Sequence, residues 1–191
     1  SSMGRAAQIL DNLIAKGLAK PMIVVMPNGN PNQQAAQTMG LPTSTANFRD
    51  PSMANAYVRS LVEEIVPFIE KNYRVVANRT HRAIAGLSMG GGHTISAANL
   101  YPGKFDYICP LSMGAQRTPE LDTALQGLKK AGYKLYWLAC GNTDFLYENA
   151  NSLDAALTAN GLEHTYFVSE GGHTWANWRY YLNTFAPLLF K

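Results

Sequence analysis

Apolar residues fall into two kinds of run along this chain. Ala6, Ile9, Leu10, Leu13, Ile14 and Leu18 recur at helical spacing within residues 3–19, and Gly17 and Pro21 end that segment. Met22-Ile23-Val24-Val25-Met26 is instead continuously apolar and of strand length, closed by the turn formers Pro27-Asn28-Gly29-Asn30. Such two-faced runs suit parallel strands covered by helices. From Asn30 to Asp50 the chain is polar, rich in Asn, Gln, Thr and Pro, and without a sustained period. A loop of that length serves as the rim of a binding site or is a mobile insertion. Asp50-Pro51-Ser52 opens a helix through Val58, Leu61, Val62, Ile65, Phe68 and Ile69, with a kink expected at Pro67.

The second half repeats the alternation. A strand through Ala83-Ile84-Ala85 runs into Gly86-Leu87-Ser88-Met89-Gly90-Gly91-Gly92, and a helix continues from Thr94 to Tyr101 until Pro102-Gly103 ends it. Tyr107–Leu111 reads as the next strand, with Pro110 weakening its end. Thr118-Pro119-Glu120 is an N-cap with proline at the first helical position, and Lys129, Lys130 and Gly132 close that helix. Lys134–Cys140 is a strand, residues 145–160 a helix stopped by Gly161, and Thr165–Val168 the last strand; Trp175, Trp178, Leu182, Phe185 and Leu189 mark a final amphipathic helix. About five strands alternating with helices predict an α/β domain with a mostly parallel sheet covered on both faces.

At 191 residues, 47% of them hydrophobic and 15% charged, the chain predicts one globular domain over residues 1–191. Its net charge of +3 is spread along the sequence, which argues against nucleic acid as a partner. No apolar run approaches the roughly 20 residues of a membrane span, so no membrane association is expected, and the N-terminus lacks the layout of a signal peptide. Cys109 and Cys140 are too few and too far apart for a disulfide framework or a zinc site, and read as buried free thiols.

Candidate chemistry centres on Gly86-Leu87-Ser88-Met89-Gly90. A serine hydroxyl attacks only if a base takes its proton and the backbone pushes Oγ into the open. A strand turning sharply into a helix does this, and Gly86 and Gly90 are expected to let the two arms approach. In a parallel sheet, functional groups gather at the carboxyl ends of the strands. The segments to search are Pro27–Asn30, Ser88, Ser112-Met113-Gly114, Gly141–Asp144 and Glu170–His173.

Asp144 and His173 stand out there, in the chain order Ser, Asp, His of the α/β-hydrolase architecture. Glu170 is kept as a substitute acid. His81 and His164 precede their strands, at the wrong end of the sheet, and His93 follows the elbow on its helix; all three read as surface or structural histidines. In this scheme His173 takes the proton of Ser88, Asp144 orients the imidazole, and the Met89 backbone N–H donates to the oxyanion.

Pro21–Gly29, Arg82–Gly91, Gly141–Asp144 and Gly172-His173-Thr174-Trp175 with Trp178-Arg179 resemble the bacterial carbohydrate esterase family 1, within the wider esterase D group. The resemblance runs through essentially the whole chain. It implies an α/β-hydrolase fold, a Ser88-Asp144-His173 triad needing neither metal nor cofactor, and an extracellular or periplasmic setting in plant cell-wall degradation. The implied substrate is feruloylated or acetylated xylan or xylo-oligosaccharide, with Asn28, Gly29 and Trp175 as substrate contacts. The long polar loop and the aromatic end around Trp175 favour a feruloyl group over an acetyl group. An acyltransferase of the same fold and a non-catalytic carbohydrate-binding module are the alternatives.

The sequence departs from the family at its front. Family members carry further N-terminal strands and a His-Gly-Gly type loop that supplies a second oxyanion donor, and these are absent from this chain. The strand missing between those at Met22 and Ile84 would leave a gap in the sheet. The expectation is therefore a fragment of a longer, multidomain protein, its sheet completed by a separate N-terminal segment.

Overall fold

The computed structural model describes residues 3–29 and 51–191, so the polar loop Asn30–Asp50 lies outside the described residues. The chain divides into two compact units, one comprising Ser1–Met22 with Val76–Lys191 and the other Ile23–Val75. Helix α1 (Ala6–Ala15) opens the first unit and buries Leu10 and Leu13. It ends where expected, with Gly17 at φ +68° and the Leu18 N–H returning to the Leu13 carbonyl.

The run that leads from Met22 into the second unit corrects one expectation. Met22–Met26 forms no strand; it is irregular, and Ile23, Val24, Val25 and Met26 are all more than two-fifths exposed. An apolar run becomes a strand only when a neighbour takes up its N–H and C=O groups, and this run has no ladder partner among the described residues. Beyond it come helices α2 (Pro51–Ser60) and α3 (Val66–Asn72), joined without a break by a π-helical turn, Leu61–Ile65. Just before Pro67, where a kink is expected, the helix holds a widened turn, in which the Val66 N–H bonds the Leu61 carbonyl five residues back. Proline in a regular helix collides with the carbonyl four residues before it, and the wider turn relieves this.

In the first unit the alternation is regular. Strand β1 (Ala83–Leu87) is followed by α4 (Met89–Leu100), β2 (Tyr107–Leu111), α5 (Pro119–Ala131), β3 (Leu135–Gly141), α6 (Tyr147–Ala159), β4 (Thr165–Ser169) and α7 (Trp175–Phe185). The strands form one parallel sheet in the order β1-β2-β3-β4, four strands among the described residues against the five expected. Pro110 is fully buried opposite Gly86 and keeps β2 paired with β1, but the pairing of β2 with β3 lapses at Cys109 and Pro110 and resumes at Leu111, so the expected weakening falls on that side of the strand.

Sequential order with right-handed crossovers puts α4, α5 and α6 on one face. The helix after β4 takes the other. There Tyr107, Cys109, Leu111, Trp137 and Ala139 from the strands pack with Trp178, Tyr181 and Phe185 of α7. On the opposite face Ile108, Tyr136, Leu138 and Cys140 are equally buried. α1 lies outside α7, in a small cluster of Leu10, Leu13, Ala19 and Ala186.

Thr118 caps α5 as expected, its Oγ1 accepting from the Leu121 N–H at 3.2 Å. The far end of α5 is held by Arg79, whose guanidinium donates to the Ala131 and Gly132 carbonyls and pairs with Asp106 at 2.6 Å. No helix among the described residues is long and apolar enough to cross a membrane. Because all four strands run the same way, the residues after β1, β2, β3 and β4 emerge along one edge of the sheet.

Candidate active site

Ser88 sits between the end of β1 and the start of α4 with φ 53° and ψ −121°. A non-glycine residue at positive φ costs on the order of 1–3 kcal/mol and persists only where its surroundings hold it. Here the Ser88 N–H donates to the Leu111 carbonyl at 3.0 Å, and the Ser88 carbonyl accepts from Gly92 at 3.1 Å. A side chain at Gly86 would run into the Gly90 carbonyl. Gly91 is equally constrained, since a Cβ there would lie 2.6 Å from the Met113 Cβ and 2.9 Å from the Leu111 carbonyl oxygen. Gly90 itself has open space around the Cβ position, so the second close approach belongs to Gly91 and not to Gly90 as expected. The Met89 N–H falls in the first turn of α4, where amides have no intrahelical acceptor.

The turn after β3 closes with the Asp144 N–H on the Gly141 carbonyl at 3.1 Å. Its Asn142 and Thr143 N–H groups donate to the Ser169 and Gly171 carbonyls, tying this turn to the loop after β4. The Asp144 carboxylate is wholly buried. Oδ1 accepts from the Leu146 N–H at 3.0 Å, and both oxygens lie against His173 Nδ1, at 3.0 and 2.9 Å. An ionised carboxylate can only accept, so it selects the tautomer with the proton on Nδ1 and leaves Nε2 free to accept. Both Nδ1 contacts go to Asp144, which removes the need for Glu170 as a substitute acid.

Two side chains shape the His173 loop that the sequence pattern did not single out. Asn177 donates from Nδ2 to the Glu170 and Gly172 carbonyls, and Asn142 Oδ1 accepts from the Gly171 N–H. The imidazole is flanked by two rings, Phe145 with centroids 4.5 Å apart and Trp178 edge-on at 4.9 Å. The Trp178 indole N–H donates to Ser112 Oγ at 2.9 Å. Ser112 is buried just past β2, beside the Leu111 carbonyl that holds Ser88. A continuous set of contacts therefore leads from His173 back toward the serine. Trp175 packs edge-on against Trp178 at 5.0 Å, one ring removed from the imidazole. Asn28 and Gly29 belong to the second compact unit.

The remaining histidines lie elsewhere. His81 is exposed and bonded to Asn78, His164 pairs with Asp154 at 2.8 Å at the start of β4, and His93 is buried on α4, where desolvation lowers its pKa. Both cysteines are buried free thiols. Burial, with the Asp144 charge second, pushes the Cys140 thiol up to about 12, which makes it inert as a nucleophile. A cavity of about 290 Å³ lined by Tyr133, Tyr136 and His164 opens at the amino ends of β3 and β4, away from the strand ends that carry Ser88, Asp144 and His173.

Residues 1–188 match the family model Esterase, described as "Putative esterase". The chain belongs to this esterase family. It is 34% identical over 189 residues to an endo-1,4-beta-xylanase/feruloyl esterase of Xylanibacter ruminicola, covering 98% of this chain and 24% of the relative. The chain thus spans about a quarter of the length of that relative. Among solved structures, a ferulic acid esterase superposes with a TM-score of 0.73 at 25% identity, over 97% of this chain and 77% of that one. A feruloyl esterase module from Clostridium thermocellum, complexed with sinapinate, gives a TM-score of 0.73 at 22% identity over 97% and 70% of the two chains. The α/β-hydrolase architecture expected from the sequence is the one these neighbours share.

Proposed function

We propose that this esterase hydrolyses feruloyl esters of xylan through Ser88, His173 and Asp144. The observation that carries the reading is the buried Asp144 carboxylate on His173 Nδ1, at the same sheet edge as a serine held at positive φ. His173 Nε2 takes the Ser88 proton as Oγ attacks the ester carbonyl, and the negative oxygen that forms accepts from the Met89 N–H. Collapse of the tetrahedral intermediate breaks the acyl–oxygen bond, and the departing alkoxide takes the proton from Nε2. Water then attacks the acyl-enzyme by the same route, releasing the acid and restoring the serine. Asp144 stays ionised throughout, stabilising the imidazolium that forms.

The feruloyl preference rests on the relative named as a feruloyl esterase and on the sinapinate bound by a structural neighbour. Trp175, in the same unit as Ser88 and His173, is its proposed substrate contact. A polymer such as xylan is met outside the cell, so the site works in an extracellular or periplasmic setting. Release of ferulate from a feruloylated arabinoxylan fragment, measured beside release of acetate from acetylated xylan, tests the reading. Ferulate release is expected, and acetate alone would overturn the acyl assignment. Ser88→Ala is expected to lower kcat by ~10⁴-fold or more; an active Ser88→Ala would remove Ser88 from the mechanism.

A further inference from the structure

Phe145 is 74% exposed although its ring lies against His173, the planes tilted by 45°. Leaving a phenylalanine in water forgoes about 1.5–3 kcal/mol of burial. The turn explains where the side chain points: Asp144 faces inward, the Leu146 N–H closes onto Oδ1, and the residue between them is sent outward. That backbone does not require an aromatic residue there.

We infer that Phe145 is the platform on which the sugar of the departing alcohol rests. The inference builds on the esterase reading of Ser88, His173 and Asp144. Because Nδ1 is taken by Asp144, the proton passes through Nε2, and the leaving oxygen must come within hydrogen-bond reach of Nε2, about 2.6–3.2 Å. The acyl carbon meanwhile is bonded to Ser88 Oγ. A ring in contact with the imidazole therefore lies next to the alcohol half of the ester. Of the two rings on His173, Trp178 is buried and held by Ser112, so Phe145 is the one that can meet a ligand.

Its exposure selects the kind of ligand. Sugar C–H groups, made positive by the oxygens they carry, stack on the negative face of an aromatic ring while the hydroxyls stay in water. A planar aromatic acid gains most from an enclosed apolar pocket, which an open ring does not provide.

The test compares two esters that share one acyl group, methyl ferulate and a feruloylated arabinoxylo-oligosaccharide, on the full chain. In Phe145→Ala the ratio of kcat/KM for the oligosaccharide ester to that for the methyl ester is expected to fall about tenfold. Phe145→Trp is expected to keep the ratio. An unchanged ratio in Phe145→Ala, or a greater loss on the methyl ester, would overturn the assignment. Binding of the unesterified arabinoxylo-oligosaccharide to the Ser88→Ala chain, followed by chemical-shift titration, is expected to weaken by the same factor when Phe145→Ala is added. That readout needs no turnover. Failure of the esterase reading would appear as activity surviving Ser88→Ala, whereas failure of the platform would appear as binding and ratio both unmoved.

Discussion

Asp144 has two duties that a single substitution separates. Its Oδ1 closes the turn by accepting the Leu146 N–H, and the two oxygens together face His173 Nδ1. Asp144→Asn keeps an oxygen for the turn but also presents an amide donor, which favours the wrong imidazole tautomer. We expect kcat to fall ~10⁴-fold with the fold intact, measured by steady-state kinetics beside circular dichroism. The glycines after Ser88 also differ in what they tolerate. Gly91→Ala must push against Met113 and the Leu111 carbonyl and should cost about 1–3 kcal/mol in urea unfolding. Gly90→Ala meets open space and should change stability by no more than about 0.5 kcal/mol. The pentapeptide pattern marks Gly86 and Gly90, but it contains no information about Leu111 at the end of β2 or Met113 just beyond it, which make Gly91 a restricted position.

Helix α5 illustrates the same division among the elements. Its start was legible because a cap is local: Thr118, Pro119 and Glu120 are consecutive, and the Thr118 hydroxyl reaches Leu121 within one turn. Its end was only half legible. Lys129, Lys130 and Gly132 mark it, yet the group that satisfies its last carbonyls is Arg79, from the segment before β1. Arg79→Ala would leave those carbonyls without their donor and the buried Asp106 without its cation. Because the guanidinium is partly exposed, the expected loss is moderate, about 2 kcal/mol in urea or thermal unfolding. Met22–Met26 is the opposite case. Its apolar character is plain in the sequence, but a strand is a property of a pair.

For the molecule as a whole, the parallel order β1-β2-β3-β4 gathers the chemistry along one edge and leaves structural polar groups behind it. His93 is such a group, buried on α4 with its pKa lowered by desolvation. Its folded pKa lies below the unfolded one, near 6.5, so its contribution is fully present above about pH 6.5. It is lost as pH falls from there through the folded pKa, because the unfolded chain binds the proton more readily. The urea midpoint should therefore drop between pH 7.5 and 5.5, and drop less in His93→Gln. An equal drop in both proteins would assign the acid sensitivity to other groups.

The sequence by itself determined the helix and strand alternation in the second half, the helix ends set by neighbouring residues, and the residue types and order of Ser88, Asp144 and His173. These depend on periodicity, on caps spanning one turn, and on strand ends that a parallel sheet must bring to one side. Tertiary structure decided what needs a distant partner. It decided that Asp144 and not Glu170 faces His173, that Gly91 and not Gly90 is crowded, and that Met22–Met26 stays irregular. It also supplied the supporting groups Asn142, Ser112, Asn177 and Trp178. Those roles arise from hydrogen bonds and contacts between segments far apart in the chain, and no local pattern of apolar and polar residues encodes them.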